Sequence, residues 1–229
     1  MSLFLISMMG SAQNVMENIP NFDKRKLHFG FALSYNKADF YLTQKANAFE
    51  ADSLLSLNVV GKPGFNLGII SSYNLNPTLR LRFLPTLSFQ ERDLQYTFYT
   101  QDTTEFWNKT VSSTFLDFPL LIKMRTERIG NFAVYMIAGG RFGLDMQSNN
   151  KVRNSASSPQ TQVVKITKPD YGLELGGGFD FFLQYFKFGI ELKMGLGLKD
   201  VLIQENLQFS NPIESIRSQM WTLSFTFEG

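Results

Sequence analysis

Cysteine is absent from the 229-residue chain, and histidine occurs once, at His28. The first absence excludes disulfides, thiolate metal sites, a cysteine nucleophile and acylation at a lipoprotein cysteine. The second leaves any hydrolytic triad resting on one histidine, which would need an oriented partner and a nucleophile. Long apolar runs are missing too, and no later stretch approaches the roughly 18 residues that a membrane-spanning helix needs. Charge is sparse, 18% of residues, and nearly balanced at net +2. No clustered basic footprint therefore marks a nucleic-acid partner.

What the chain does have is aromatic bulk, with 23 Phe, and strict alternation. In Tyr171 to Phe181 the odd positions are Tyr, Leu, Leu, Gly, Phe and Phe, and the even ones are Gly172, Glu174, Gly176, Gly178 and Asp180. A strand of this kind has two unlike faces. Glycine gains nothing on a solvated convex surface but fits where side chains crowd a narrow lumen. The pattern predicts a barrel turned inside out, with its apolar face toward lipid.

Seven further stretches repeat the pattern, beginning near Leu27, Phe65, Leu79, Leu116, Phe132, Phe186 and Trp221. The fold expected is all-β: an eight-stranded antiparallel up-and-down transmembrane β-barrel. Short joins fall at Asn74 to Thr78, Thr126 to Asn131 and Phe182 to Tyr185. Long ones cover Asn36 to Pro63, Leu94 to Ser113, Gln147 to Pro169 and Asp200 to Arg217. Short periplasmic turns, long extracellular loops and two periplasmic termini are the outer-membrane arrangement. The apolar run Leu3 to Met9 before Gly10-Ser11-Ala12 reads as an export signal over residues 1–12, and its lack of a basic start marks it as atypical or as the end of a longer signal; a disordered apolar tail is the alternative. Residues 13–26 then form a periplasmic segment and 27–229 the barrel.

A cation facing lipid at mid-membrane costs about 2–4 kcal/mol. Arg80, Arg82, Lys123, Arg141 and Lys193 all fall on the small-residue face, as do Asp117, Glu174, Asp180 and Glu191. These nine predict a lumen that neutralises itself by ion pairing and leaves no open pore. An acid/base pair among the carboxylates is the sharper reading, and the nearby cations favour the structural one. His28 reads as a packed lumen residue. Gly176-Gly177-Gly178 lacks the Lys-Ser/Thr and the helix of a phosphate loop. Asn108-Lys109-Thr110 matches a glycosylation sequon without a compartment to use it, and Lys151, Arg153, Lys165 and Lys168 make one long loop basic.

Two groups stand out for partner contact. Lys24, Arg25 and Lys26 read equally as a partner or headgroup site and as a solvated collar. Tyr96, Phe98, Tyr99, Phe106 and Trp107 read equally as a docking patch and as strand extensions that pack on each other.

Several segments, in order, resemble one family. They are Pro20-Asn21-Phe22-Asp23-Lys24-Arg25-Lys26-Leu27-His28-Phe29-Gly30-Phe31, Pro63 to Ile69, Leu81-Arg82-Phe83-Leu84-Pro85 with Glu91-Arg92-Asp93-Leu94, and Leu116 to Lys123. Gly176 to Phe182 and Tyr185-Phe186-Lys187-Phe188 complete the set. Together they are similar to the PorT (SprT) proteins of Bacteroidota. That resemblance implies a non-enzymatic outer-membrane component of the type IX secretion system, required for cargo export and, in gliding relatives, motility. It implies other secretion components and outer-membrane lipid as partners, with no cofactor, metal, nucleic acid or small-molecule substrate. A general structural or adhesion barrel of the OmpX-like kind is the alternative. A barrel enzyme and a solute porin are disfavoured by the lack of a catalytic constellation and by strand number.

Overall fold

The computed structural model describes residues 17–45, 54–100, 103–148, 164–205 and 209–229. The export-signal stretch and Lys151 and Arg153 lie outside them. The described residues form ten strands: β1 (Leu27–Gln44), β2 (Leu54–Gly61), β3 (Pro63–Asn74), β4 (Leu79–Phe83), β5 (Thr86–Thr100), β6 (Thr103–Arg125), β7 (Phe132–Asp145), β8 (Pro169–Phe182), β9 (Lys187–Gly197) and β10 (Ile213–Glu228). β2 and β3 are one wall strand interrupted at Lys62, and β4 and β5 are another interrupted at Leu84-Pro85. The ring therefore has eight walls, every neighbour antiparallel. It closes where β1 pairs with β10 from Gly30↔Glu228 upward on one side and with β3 from Leu27↔Tyr73 on the other.

The lower part of the ring is the inverted barrel. Outward positions from Leu27 to Tyr35, Phe65 to Tyr73, Leu116 to Met124, Phe132 to Leu144, Phe188 to Leu198 and Trp221 to Phe227 carry no charged residue, and most are exposed. Four to seven outward residues per strand match a tilted strand crossing an apolar band about 25 Å tall. Stacked pairs such as Phe31 with Phe227 (4.8 Å) and Phe65 with Phe89 (4.5 Å) knit neighbouring strands on that face. The inward glycines make room: a Cβ on Gly178 would come within 2.7 Å of the hydroxyl of Tyr135, its cross-strand partner, and one on Gly176 would meet the Lys193 stem at 2.8 Å.

The upper part corrects the sequence expectation. The described residues of Leu94 to Ser113, a stretch read as a long loop, form a β5–β6 hairpin paired from Thr86↔Asp117 to Thr100↔Thr103. Likewise β1 runs on to Gln44, and β2 occupies Leu54–Gly61 within the stretch read as the first long loop. Above the apolar band these strands bury Phe40, Leu54, Leu57, Leu94, Tyr96, Phe98, Val111, Val164, Ile166, Val201, Phe209, Ile213 and Ile216 in one core. Apolar side chains point inward here and polar ones outward, the ordinary arrangement for a sheet in water. The docking-patch reading of Tyr96 and Phe98 falls with this, because both are buried and the Tyr96 hydroxyl donates to the Phe209 carbonyl at 2.8 Å. Trp107 packs edge-on to Phe209, while Tyr99 and Phe106 stay exposed. No helix among the described residues is long and apolar enough to cross a membrane.

Candidate functional site

The lumen is layered. In the layer nearest the short turns, Arg82 of β4 reaches across the ring and donates to Glu191 of β9 and Glu228 of β10, both at 2.8 Å. All three side chains are fully buried. Lys187 lies 2.9 Å from the other oxygen of Glu228. Lys123 of β6 donates to Asp180 of β8 at 2.8 Å and sits 3.3 Å from the centre of the Tyr135 ring, whose hydroxyl donates to Glu191 at 2.8 Å. Lys193 closes the layer by donating to Glu174 at 3.2 Å. A buried carboxylate with fewer partners would be strongly unfavourable. Here each one meets a cation.

A cavity of about 20 Å³ separates this layer from the next, lined among others by Ser34, Asn66, Asp117 and Lys193. It is the size of roughly one water. Above it Arg141 donates to Asp117 at 3.3 Å and to Asp170 at 2.7 Å. A polar relay beside it runs from Asn36 to Asn66 at 2.5 Å, from Ser88 to Asn66 at 2.6 Å and from Gln90 to Ser88 at 2.8 Å, ending at Arg92, which donates to Gln90.

All nine lumen charges named from the sequence therefore sit inside the ring. Arg82, Lys123, Glu174, Asp180, Glu191 and Lys193 share the lower layer, and Asp117 and Arg141 pair in the upper one. Arg80 belongs to neither, because it lies at the short-turn mouth. Lys187, Glu228, Asp170 and Arg92 complete the layers without having been singled out. Alternation puts Lys187 and Glu228 on the lumen face, but the tilt of strands across the ring decides whom they meet.

The mouth at the short-turn end is closed by the chain preceding β1. Phe22 is buried, stacked on His28 at 4.0 Å and edge-on to Phe182 at 5.7 Å. Asp23 beside it takes Arg80 at 2.6 Å, Arg125 at 3.1 Å and Arg128 at 3.7 Å. Partial burial disfavours the charged form of this carboxylate, but the Arg125 hydrogen bond and the charges of Arg125, Arg80 and Arg128 outweigh it. Its pKa falls below the ordinary value. Asn18 pins the segment to Asn131 and to the Phe182 carbonyl at 2.8 and 2.9 Å, and Ile19 takes a φ of 49°, a conformation a β-branched residue adopts only when its surroundings hold it. Lys24, Arg25 and Lys26 remain exposed around this plug, while the Arg25 carbonyl accepts from Asn74 at 2.7 Å and lies 3.1 Å from the His28 ring. His28 is thus a packed residue. No group of three His, Asp or Glu among the described residues is placed to hold a metal.

An eight-walled ring, apolar outside, with its lumen filled by ion pairs, defines a small outer-membrane β-barrel. Residues 11–202 match the model of the outer membrane protein beta-barrel domain, and the chain belongs to that family. Among solved structures it is similar to Neisserial surface protein A (11% identity over 86% of this chain and 95% of that one, TM-score 0.44). It is also similar to OprG from Pseudomonas aeruginosa (12%, 89% and 94%, TM-score 0.47). A third is Ail, the attachment invasion locus protein of Yersinia pestis, solved with the heparin analogue sucrose octasulfate (12%, 90% and 100%, TM-score 0.40). No curated protein matches the sequence.

Proposed function

We propose that this barrel is a non-enzymatic component of the type IX secretion system, required for cargo export and acting through protein contacts at its two ends. The observation that carries the reading is the filled lumen. With ion pairs bridging the ring and Phe22 and Asp23 across its mouth, the barrel offers surfaces and no passage. The secretion role itself is supported by the resemblance to PorT proteins, whose segments here supply Phe22, Asp23, Arg82, Asp117, Lys123, Asp180 and Lys187. In this reading residues 1–12 direct export and 13–26 form the periplasmic segment. The short turns and both termini then face the periplasm, where Lys24, Arg25 and Lys26 meet a partner. Deleting the gene in its host and quantifying type IX cargo inside and outside the cell tests the role. Cargo trapped inside and released by complementation is the expected result, and normal export overturns it. Orientation has its own test, because the chain has no cysteine. A Thr104→Cys variant should react with an impermeant maleimide on intact cells, and Tyr185→Cys should not.

The second reading, a structural or adhesion barrel, is favoured by Phe106 and Tyr99, exposed near the tip of the β5–β6 hairpin. It predicts normal export and a loss of surface attachment when Phe106 is replaced by serine.

A further inference from the structure

Between β2 and β3 the wall carries a bulge. Gly61 stands opposite Arg92 and Phe65 opposite Phe89, so three residues, Lys62, Pro63 and Gly64, face only Gln90 and Glu91. The Lys62 amide donates to the Glu91 carbonyl at 3.1 Å and holds the distortion in place. Bulges bend a strand and re-aim its neighbours. Here the bend opens a groove of about 320 Å³ on the outer wall, running from β3 across β5 to β6. That volume lies within the ~300–1,000 Å³ range of small-molecule sites.

The lining of the groove is ordered along the barrel axis. Its lower part is the stacked pair Phe65 and Phe89, the upper edge of the apolar band that continues down through Leu67 and Leu87. Thr114 flanks Phe89 across the β5–β6 pairing, and the upper part is polar: Glu91, Ser112 and Gln147. An occupant must therefore be apolar below and hydrogen-bonding above, at the height where lipid gives way to water. The electrostatics choose its headgroup. Beside the groove Lys62 lies 2.9 Å from Glu91 and 3.0 Å from Asp93, so two carboxylates surround its ammonium, while the other nearby cation, Lys37 opposite Pro63, has Asp39 two residues on along the same face of β1. A phosphate would be repelled there. A sugar, whose hydroxyls donate to carboxylate and amide oxygens and whose ring C–H faces lie on aromatic rings, would not.

We propose that this groove binds the sugar headgroup of an outer-leaflet glycolipid, with the acyl chains lying on Phe65, Leu67, Leu87 and Phe89. The leaflet rests on the orientation given above, whereas the chemistry of the groove does not. The probe is the full chain in a sugar-free detergent, titrated with diglucosyl dioleoylglycerol, with dioleoyl phosphatidylglycerol and with free maltose, and read by native mass spectrometry. The glycolipid should bind at least tenfold more tightly than either. Ser112→Trp and Thr114→Trp project outward from exposed or half-buried positions into the groove and should each reduce that binding about tenfold. Gln219→Trp, outward on β10, should not. Heat-modifiable gel migration verifies that each variant is folded. Equal affinity for the phospholipid, equal affinity for maltose, or indifference to both groove-filling tryptophans overturns the proposal. Because these readings are made in detergent they do not depend on orientation, which the Thr104→Cys labelling decides by itself.

Discussion

β6 runs through two solvents, and its two halves follow opposite rules. In the lower half Leu120 and Ile122 point outward and Lys123 inward, while in the upper half Thr110 points outward and Val111 inward. The backbone pairing is unbroken from one half to the other. What changes is the medium outside the wall, and with it which side chains lose free energy by facing out. Strand geometry supplies two faces, and the surroundings decide which one is apolar.

The largest effect should come from breaking the lower half from within. Arg82→Met leaves Glu191 without its 2.8 Å cation and takes one from Glu228, and should destabilise the barrel by about 3–5 kcal/mol. Urea unfolding in lipid vesicles measures it. Leu94→Ala empties part of the upper core and should cost about 2–5 kcal/mol, confined to the upper half. Faster proteolysis above the membrane with an intact barrel on gels is the expected signature, and loss of the whole barrel would show that the halves unfold as one. The outward face gives the sharpest contrast on a single strand. Leu120→Arg should cost ~2–4 kcal/mol. Phe106→Arg, at a position 79% exposed above the band, should stay within about 0.5 kcal/mol.

A smaller effect lies at the short-turn mouth. Asp23→Asn should release the Phe22 segment at a cost of about 1 kcal/mol, because the carboxylate is only partly shielded from water. Faster tryptic cleavage after Lys24 to Lys26 reports it. The acid dependence has a definite sign. The folded pKa of Asp23 lies below the ordinary 3.8, so its contribution is complete above the unfolded pKa and is lost as pH falls through the lowered value. Hydrogen exchange of the amides near Phe22 should quicken across that window and stay level above about pH 5.

The lower half was legible in the sequence because its rule is unusual. Charges and glycines share a face in Tyr171 to Phe181, and only a lumen explains that combination. The upper half was not, and the reason is a change of phase. Along β5 the apolar residues occupy Leu87 and Phe89, then shift by one to Leu94, Tyr96 and Phe98. A periodicity search sees the pattern break there and assigns a loop, although the strand runs on and only the solvent changes. Asp23 escaped for another reason: it precedes the strand pattern, and its partners Arg80, Arg125 and Arg128 come from β4, the end of β6 and the turn after it. The groove at Pro63 and Gly64 left a trace as a familiar motif but none as a cavity, since a cavity needs the register of three strands.

Glu228 acts as a timing device. It lies at the end of β10, the strand that zips onto β1 to close the ring, and it answers Arg82 and Lys187 from two other strands. Until the final seam forms, those cations stand in an apolar slab without their full complement of acid. Closing the wall and quenching the charge are therefore one event. A half-inserted sheet is penalised twice, for its open edge and for its naked cations, so partly assembled forms should not accumulate.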